Sequence, residues 1–471
     1  MLATGRNHLN TSGPEDNSLP NTFQEQLIIA LLPWGDLIED FLDTLGISLQ
    51  SFQEDMTGGW LFGWIEALES VNVRTVLFCF SAQVQTPTRL THKPSGCTIC
   101  VLPPSRSYLA LRHWPAVLDA NAQKSWLQRL TRRITRPLLK SESPLALWRF
   151  IPYLSTPSKT LARELQRERC RAIVCQEYEY PRFDCCVALG KRLKLPVFAT
   201  FQGGIWQWSL LERVLRAIAI RSCAGLIIAP RSEIRRVRSR YHVPHARIAG
   251  IFNPISLQVW NTRDRATQRE AARNELGFSS TAGVVICHGR IDIERKGLDI
   301  LLTAWQQLCV ERPGQDLQLL LVGTGSDAVK LRHLINQTQV SNILWIDEYV
   351  LDRAIMKRYL CAADVYTLPS RHEGFPVAPL EAMACGLPVV AADAPGVSDI
   401  LEEGELSGGL MVQRGDAPAL ARALGRLLDD EGFRQILAAR ALRRVEEHFS
   451  PKVVGSQLRS FLEGRGVQVT N

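Results

Sequence analysis

The sequence lacks any run of about 18 apolar residues, the length at which a transmembrane helix becomes a candidate. We therefore expect no transmembrane helix. The segment before the first apolar stretch, 27–32, is rich in Asn, Ser, Pro and acidic residues, without the basic start and long apolar core of a signal peptide. We expect residues 1–24 to form a disordered tail. The resulting prediction is a cytoplasmic protein.

Several ligand-binding patterns are also absent. No G-x-x-x-x-G-K-[ST] occurs, and the G-x-G turn at Gly323 and Gly325 lacks the third glycine of a dinucleotide fingerprint. P-loop ATPases and NAD enzymes are therefore disfavoured. The formal net charge of +8 would suit phosphate, nucleic acid or a membrane surface. No nucleic-acid recognition module is visible, so a nucleic-acid partner is not expected.

The 12 cysteines show no periodic framework, and many lie inside apolar runs. We interpret them as buried free thiols in a reducing compartment. Cys97 and Cys100 form a C-x-x-C pair, but a zinc site would need a second pair at suitable spacing, and none is evident. No metal site is predicted.

The sequence does have a regular alternation of strand-like and helix-like segments. A chain of 471 residues is too long for one ordinary core and suits two domains. Continuous apolar strands that alternate with helices indicate a parallel sheet covered on both faces. The pattern restarts after Asn253 and Pro254. We predict an α/β fold with an N-terminal domain over 25–251 and a C-terminal domain over 252–448.

Two basic segments lie in the predicted N-terminal domain. The first, 126–149, interleaves arginines with leucines, and its helical part should be 126–135 because Pro137 would end or kink a helix. It is either a solvated surface helix or a helix in peripheral contact with anionic lipid. The basic helix predicted over 231–240 adds weight to contact with the inner face of a membrane.

The strongest motif spans residues 369–388. A strand over 365–368 ends there, Gly374 gives a turn, and Pro376 suits the first turn of the helix that follows. The backbone N–H groups of Gly374, Phe375 and Val377 would then be unpaired at a helix start. This arrangement predicts an anion site at the carboxyl end of a strand. The alternative is an ordinary turn between a strand and a well-capped helix.

Two carboxylates frame this predicted anion site. Glu373 lies in the loop before the helix, and Glu381 lies on the helix, eight residues later. A sugar nucleotide would use both: one carboxylate accepts hydrogen bonds from the transferred sugar, and the other accepts them from the ribose. The phosphate would bind between them at the helix start.

A second motif spans residues 288–297, after a strand that ends at Cys287. Arg290 and Lys296 bracket a loop that opens a helix, and two cations there could neutralise a diphosphate. If the diphosphate is a leaving group, its charge grows in the transition state, and the cations stabilise it most at that point. The alternative is a surface loop with ordinary ion pairs.

Together these motifs resemble those of glycosyltransferase family four in order and spacing, most closely over about 225–448. The residues that carry the resemblance are Arg290, Lys296, Gly323, Glu373 and Glu381, with the Asn253–Pro254 link and a glycine loop at Gly58 and Gly59. The resemblance implies the GT-B fold, in which two Rossmann-like, doubly wound domains face a cleft. Residues 449–471 would form a crossover helix and tail that return to the N-terminal domain.

The resemblance also implies a role for each matched residue. Arg290 and Lys296 would hold the diphosphate, and Glu373 would hold the transferred sugar near the reacting carbon; these three are the catalytic candidates. Glu381 would bind ribose. The remaining donor-side candidates are the backbone of Gly374 and Phe375, the glycines Gly323 and Gly59, and Tyr349 and Val350 near the base.

The implied activity is retaining transfer of a hexose from a UDP-, GDP- or ADP-sugar to a saccharide, lipid-linked or small-molecule acceptor. Polysaccharide or glycolipid synthesis would fit the basic N-terminal domain. In this family the donor phosphate is thought to take the acceptor proton, and no divalent metal or other cofactor is required. We therefore expect no cofactor.

The sequence departs from the family at two acceptor-side positions. Many relatives carry histidines where this chain has Gln176 and Gln202. Glutamine cannot act as a base, but it can donate a hydrogen bond to an acceptor or sugar oxygen, so both are candidates on the acceptor side. Trp206 and Trp208 would form a stacking wall or pack as core. These departures leave open a catalytically degenerate homologue that acts as an assembly partner.

Overall fold

The computed structural model describes residues 26–57, 59–112, 150–204, 210–261, 263–338 and 340–468. The predicted N-terminal tail, the basic segment 126–149, Gly58, Trp206 and Trp208 lie outside these residues. In the described part of the chain, no helix is both long enough and apolar enough to cross a membrane.

The N-terminal sheet has eight strands in the order β3-β4-β2-β1-β5-β6-β7-β8. All neighbours are parallel except β3 and β4. The strands are β1 Leu27–Leu32, β2 Val73–Phe80, β3 Thr88–Thr91, β4 Thr98–Leu102, β5 Ala172–Cys175, β6 Val197–Thr200, β7 Gly225–Ile227 and β8 Ile248–Ala249. The order reverses between β1 and β5, and ligands of open α/β sheets bind at such a switch point, beyond the carboxyl ends of the strands.

The C-terminal sheet has six parallel strands in the order β11-β10-β9-β12-β13-β14. They are β9 Gly283–His288, β10 Leu317–Val322, β11 Ile343–Ile346, β12 Val365–Leu368, β13 Val389–Ala392 and β14 Gly409–Val412. The switch point lies between β9 and β12. Both predicted donor motifs follow one of these two strands, so the topology places them at one edge of the sheet.

Helices cover both faces of each sheet. In the N-terminal domain they are α1 Ile38–Leu42, α2 Leu49–Glu54, α3 Gly59–Glu69, α4 Arg106–Leu111, α5 Ile151–Leu154, α6 Ser158–Arg167, α7 Pro181–Leu193, α8 Leu210–Ser222 and α9 Arg231–Tyr241. Those that follow are α10 Arg265–Leu276, α11 Ile293–Lys296, α12 Leu298–Glu311, α13 Ala328–Thr338, α14 Arg353–Ala362, α15 Ala378–Ala384, α16 Val397–Ile400, α17 Ala417–Asp429, α18 Glu431–His448 and α19 Pro451–Glu463. Short 3-10 helices occupy His245–Arg247 and Gly404–Ser407.

Each sheet is buried between two hydrophobic clusters. In β2, Val76, Phe78 and Phe80 pack into one cluster, whereas Leu77 and Cys79 pack into the other. Burial of both faces explains why these strands appear in the sequence as unbroken apolar runs. The predicted α/β class with two doubly covered, mostly parallel sheets is confirmed.

The last helix, α19, packs on the N-terminal domain. Val454, Leu458 and Leu462 belong to a core cluster of that domain. Gly455 lies against the backbone of Ala67 in α3, where a Cβ would overlap the carbonyl oxygen. The chain therefore crosses back as the resemblance implied, and glycine permits the close approach of the two helices.

Asn253, in the link between the domains, forms hydrogen bonds on both sides of it. The side-chain oxygen of Asn253 accepts a hydrogen bond from the Trp64 indole N–H at 2.9 Å, and its amide nitrogen donates to the carbonyl of Phe375 at 3.3 Å. One side chain thus bonds to α3 of the N-terminal domain and to the turn before α15.

All 12 cysteines are free, and all but Cys185 and Cys309 are buried. Burial raises the pKa of Cys97, and likewise that of Cys100, to about 12. Both thiols are therefore protonated near neutral pH, which agrees with their interpretation as core residues.

Candidate active site

Lys296 and Glu373 form an ion pair at the carboxyl edge of the C-terminal sheet. Asp292 caps the short helix α11 by accepting from the N–H of Arg295 at 3.0 Å, and Lys296 ends this helix. The Lys296 ammonium donates to Glu373 at 2.7 Å, and the Ser370 hydroxyl donates to the same oxygen at 2.6 Å. An ammonium has three N–H donors, so this pair leaves Lys296 able to bind a phosphate oxygen.

Glu373 is 4% exposed, so its carboxylate is buried and depends on these two donors. Arg371, two residues earlier, forms a two-pronged ion pair with Asp299 of α12, with N–O distances of 2.8 and 2.6 Å. The turn before α15 is therefore fixed to the segment that carries Lys296.

Glu381 has a partner that the sequence analysis did not identify. Nε2 of His288, the last residue of β9, lies 2.8 Å from a Glu381 carboxylate oxygen. The His288 ring also meets Tyr366 edge-on at 5.3 Å between ring centres. His288 therefore holds the carboxylate that we assigned to ribose. In the sequence, only its position at the end of the strand before Arg290 could have indicated this role.

Gly323 shapes the loop that carries Arg290. Its φ of +136° suits glycine, and a Cβ there would overlap the carbonyl oxygen of Gly289. The Gly289 N–H donates to Val322 at 3.0 Å, and the Ile291 N–H donates to Thr324 at 2.9 Å. The structure thus gives Gly323 a packing role, and its contact with a donor stays a prediction.

Tyr349, one of the two residues predicted on the base side, lies near Glu381. Tyr349 is 38% exposed, and Val350 is partly buried. Desolvation raises the pKa of the Tyr349 phenol, the Glu381 carboxylate raises it further, and the guanidinium groups of Arg353 and Arg290 lower it. These four side chains therefore share one region. Arg290 is exposed, and in the described residues it forms no ion pair.

The start of α15 differs from the prediction. The helix begins at Ala378 with Val377 as its N-cap, and Pro379, not Pro376, occupies its first turn. The Leu380 N–H bonds to Val377 at 2.9 Å, so this helix start offers few unpaired N–H groups. Pro376 therefore belongs to the turn, and any backbone contact to a ligand would come from the turn at Gly374.

Phe375 contributes its side chain to the contact between the domains. The ring is 5% exposed and stacks on Phe252 at 5.1 Å, with Phe449 at 6.0 Å. These residues surround the interdomain link near Asn253. The backbone contact to donor that we predicted for Phe375 remains a prediction.

The predicted acceptor-side glutamines lie at the carboxyl edge of the N-terminal sheet. Gln176 follows β5 and is 1% exposed, and its amide has no hydrogen-bond partner among the described residues. An amide that is buried without a partner costs about 1–3 kcal/mol, and the acceptor-side role of Gln176 stays a prediction. Gln202 follows β6; its amide nitrogen donates to Thr200 at 3.1 Å, and its oxygen lies 3.5 Å from the Asn253 amide.

Gly59 begins α3, the helix that faces both the interdomain link and α19. In the same helix, a Cβ on Gly63 would lie 3.1 Å from the carbonyl oxygen of Pro254. The start of α3 is therefore close to the link between the domains. The donor contact assigned to Gly59 stays a prediction.

Comparisons with known proteins match this site region. A family model described as glycosyl transferases group 1 matches residues 282–430. A GDP-mannose-dependent monoacylated alpha-(1-6)-phosphatidylinositol monomannoside mannosyltransferase of Corynebacterium glutamicum is 34% identical over 203 residues, covering 41% of this chain and 51% of that protein. A putative colanic acid biosynthesis glycosyltransferase, WcaL of Salmonella typhimurium, is 32% identical over 178 residues, covering 36% and 42%. The chain thus spans about half the length of the curated relatives it matches.

Solved structures extend the likeness to both domains. Sucrose-phosphate synthase from Thermosynechococcus elongatus superposes with a TM-score of 0.65 at 19% identity, covering 93% of this chain and 99% of that one. Alr3699/HepE from Anabaena, in complex with UDP, gives 0.64 at 16% identity, covering 93% and 100%. At these identities the likeness concerns the fold.

The fold is therefore GT-B, as the sequence motifs implied. The family resemblance is confirmed as well: residues 282–430 match the family model of glycosyl transferases group 1, and they contain Arg290, Lys296, Glu373 and Glu381.

Proposed function

We propose that the protein is a retaining glycosyltransferase that moves a hexose from a nucleotide-sugar donor to a saccharide, lipid-linked or small-molecule acceptor. The observation that carries the proposal is the convergence of two pairs, Lys296–Glu373 and His288–Glu381, at the switch point of the C-terminal sheet. The names of the relatives, which include a mannosyltransferase and a colanic acid biosynthesis glycosyltransferase, support a place in glycolipid or polysaccharide synthesis.

In this proposal Lys296 and Arg290 bind the donor diphosphate. Negative charge grows on the diphosphate as its bond to the sugar breaks, so fixed cations stabilise the transition state more than the ground state. Glu373 accepts hydrogen bonds from the hydroxyls of the transferred sugar. Glu381, held by His288, accepts them from the ribose. Because the two side-chain cations neutralise the diphosphate, we propose that no divalent metal or other cofactor is required.

The proposed reaction is a displacement on one face of the sugar. The acceptor oxygen forms its bond to the anomeric carbon on the face from which the diphosphate departs, and the acceptor proton passes to the leaving phosphate oxygen. Gln176 and Gln202 fit this scheme, because neither needs to act as a base and each can donate to an acceptor hydroxyl. The configuration at the anomeric carbon is retained.

Proton NMR of the product tests this proposal. The protein would be incubated with UDP-, GDP- and ADP-hexoses and a panel of saccharide and glycolipid acceptors. We expect an α-linked product from an α-linked donor. A β-linked product would contradict retention, and the absence of both transfer and donor hydrolysis with every donor would favour the catalytically degenerate homologue.

We also propose that the N-terminal domain contacts an anionic membrane surface. Helix α8 exposes three apolar side chains on one face, Leu211, Val214 and Ile218, at 48%, 55% and 54%. All the exposed charged residues of α8 and its neighbour α9 are arginines, because Glu212 and Glu233 are buried. An apolar stripe beside cations is typical of helices that lie at a lipid interface.

Sedimentation with vesicles tests the membrane contact. Burying a valine is worth about 1.5–3 kcal/mol, so Val214→Glu should weaken binding to phosphatidylglycerol-containing vesicles by at least about tenfold. Val310→Glu, at a residue that is 75% exposed in the other domain, is the matched control and should bind as the wild type does. Equal affinity of the wild type for purely zwitterionic vesicles, or an unchanged V214E, would contradict the proposal.

A further inference from the structure

The loop after β6 brings the N-terminal domain into contact with the donor-side turn. A Cβ added to Gly374 would lie 2.6 Å from the carbonyl oxygen of Gln202 and 2.8 Å from the backbone nitrogen of Gly203. In the other direction, a Cβ on Gly203, whose φ is +94°, would lie 3.0 Å from the Gly374 Cα. Two glycine backbones therefore touch across the cleft, next to Glu373.

A single buried carboxylate holds this loop. Glu177, just after β5, is 4% exposed. One of its oxygens accepts the backbone N–H groups of Gln202 at 3.1 Å and Gly204 at 2.9 Å, and the other accepts the N–H of Glu179 at 3.0 Å. Bonds from N–H groups to a carboxylate are shorter and stronger than neutral ones. The carboxylate thus fixes the end of β5 to the loop that follows β6.

The charged side chains near Glu177 contact groups other than its carboxylate. Glu179 adds a second negative charge, and the Arg236 guanidinium pairs with Glu179 at 2.5 Å. On the far side of the loop, His372 is hydrogen-bonded to the Gly203 backbone, and the Arg295 guanidinium lies 3.2 Å from the position of a Gly203 Cβ. In the described residues, the contacts of the Glu177 carboxylate are therefore with backbone N–H groups.

We propose that Glu177 is a positioning residue that sets the distance between the acceptor side of the cleft and the transferred sugar. It does so by holding residues 202–204 against the turn at Gly374. The proposal rests on the proposed transfer reaction at Glu373 and adds a residue that the family motifs did not identify. A misplacement of about 1 Å at such a contact can lower turnover by about 100-fold.

The state of Glu177 changes in the neutral pH range. Burial raises the pKa of its carboxyl to about 7, against the effect of the three N–H bonds. The ionised form can accept all three N–H groups, whereas a proton on one oxygen removes part of that capacity. We therefore expect kcat to rise as the pH passes through about 7. The pKa of Glu177 is higher in the folded state than its ordinary value of 4.5. The free energy of unfolding should therefore fall as the pH rises from 4.5 to about 7.

Glu177→Gln tests the positioning role. The amide keeps the shape, but its NH2 group must face a backbone N–H donor and its oxygen carries no full charge, so the bonds that hold the loop are lost or weakened. We expect kcat to fall about 10- to 100-fold with nucleotide affinity within about twofold of the wild type, and the pH dependence near 7 to disappear. We also expect faster hydrogen exchange at the amides of Gln202 and Gly204.

The matched control is Glu179→Gln, the same change at a carboxylate that is 1% exposed and pairs with Arg236. It should lower the melting temperature and keep a pH-dependent kcat, with the midpoint moved to lower pH because the Glu179 charge that raises the pKa of Glu177 is removed. An E177Q variant with the wild-type kcat and pH profile would overturn the proposal. If E177Q does not fold, a wild-type kcat that is constant between about pH 6 and 8 would also overturn it. If the wild type transfers no sugar, the proposed function fails. Hydrogen exchange at Gln202 and Gly204 in E177Q still tests whether Glu177 holds the loop.

Discussion

Replacement of Lys296 by alanine should lower kcat/KM by about 100- to 1,000-fold and weaken the binding of the nucleoside diphosphate. The ammonium lies 2.7 Å from Glu373 and, in our proposal, binds the leaving diphosphate. The substitution removes a cation that acts most strongly in the transition state. Steady-state kinetics and calorimetric titration with the diphosphate would measure the two effects.

Two further variants separate catalysis from folding. Lys296→Ala leaves the buried Glu373 without its cation, and an unpaired buried charge is destabilising. Addition of Glu373→Gln to Lys296→Ala should therefore restore thermal stability and leave activity low. Lys330→Ala, at an exposed lysine of the same domain, is the matched control. Full activity in K296A would contradict the assignment of the diphosphate site.

Glu373→Gln alone should lower kcat by about 100-fold with little change in nucleotide affinity. The amide keeps the size of the side chain and can still accept from Ser370, but it loses the charge that pairs with Lys296 and accepts from sugar hydroxyls. Because this carboxylate contacts the sugar in our proposal, we expect the substitution to lower the rate of the chemical step. Single-turnover rates would measure the effect on the chemical step, and the dissociation constant of the diphosphate would measure the effect on nucleotide binding.

Glu381→Gln is the control, and it should affect nucleotide binding more than kcat. This residue accepts from ribose in our proposal and is held by His288 at 2.8 Å. We expect weaker nucleotide binding and a smaller loss of kcat. If E373Q weakened nucleotide binding and E381Q affected kcat alone, the two carboxylate assignments would be wrong.

The sequence predicted the donor-side motifs because each is local. The strand Val365–Leu368, the turn at Gly374 and the helix with Glu381 lie within one short segment, where turn and capping residues act on their neighbours. The helix start was misplaced because Pro376 and Pro379 both suit a first turn, and only the backbone conformation decides between them.

The pairings across the sheet and the cleft were not predictable in the same way. His288 and Glu381 are 93 residues apart and meet because β9 pairs with β12. Glu177 contacts a loop on the next strand, and that loop contacts Gly374 of the other domain. These contacts depend on strand order and on how the domains meet, which a single sequence does not specify.

Thermal unfolding of the purified protein with UDP, GDP, ADP and their sugars tests most directly whether the C-terminal domain binds a nucleotide-sugar donor. A ligand at about 100 times its dissociation constant adds about 2.7 kcal/mol of stability, which is a shift of roughly 5–10 °C for a domain of this size. We predict a shift with one nucleotide family that is lost in Lys296→Ala. No shift with any nucleotide, from a well-folded sample, would contradict the account.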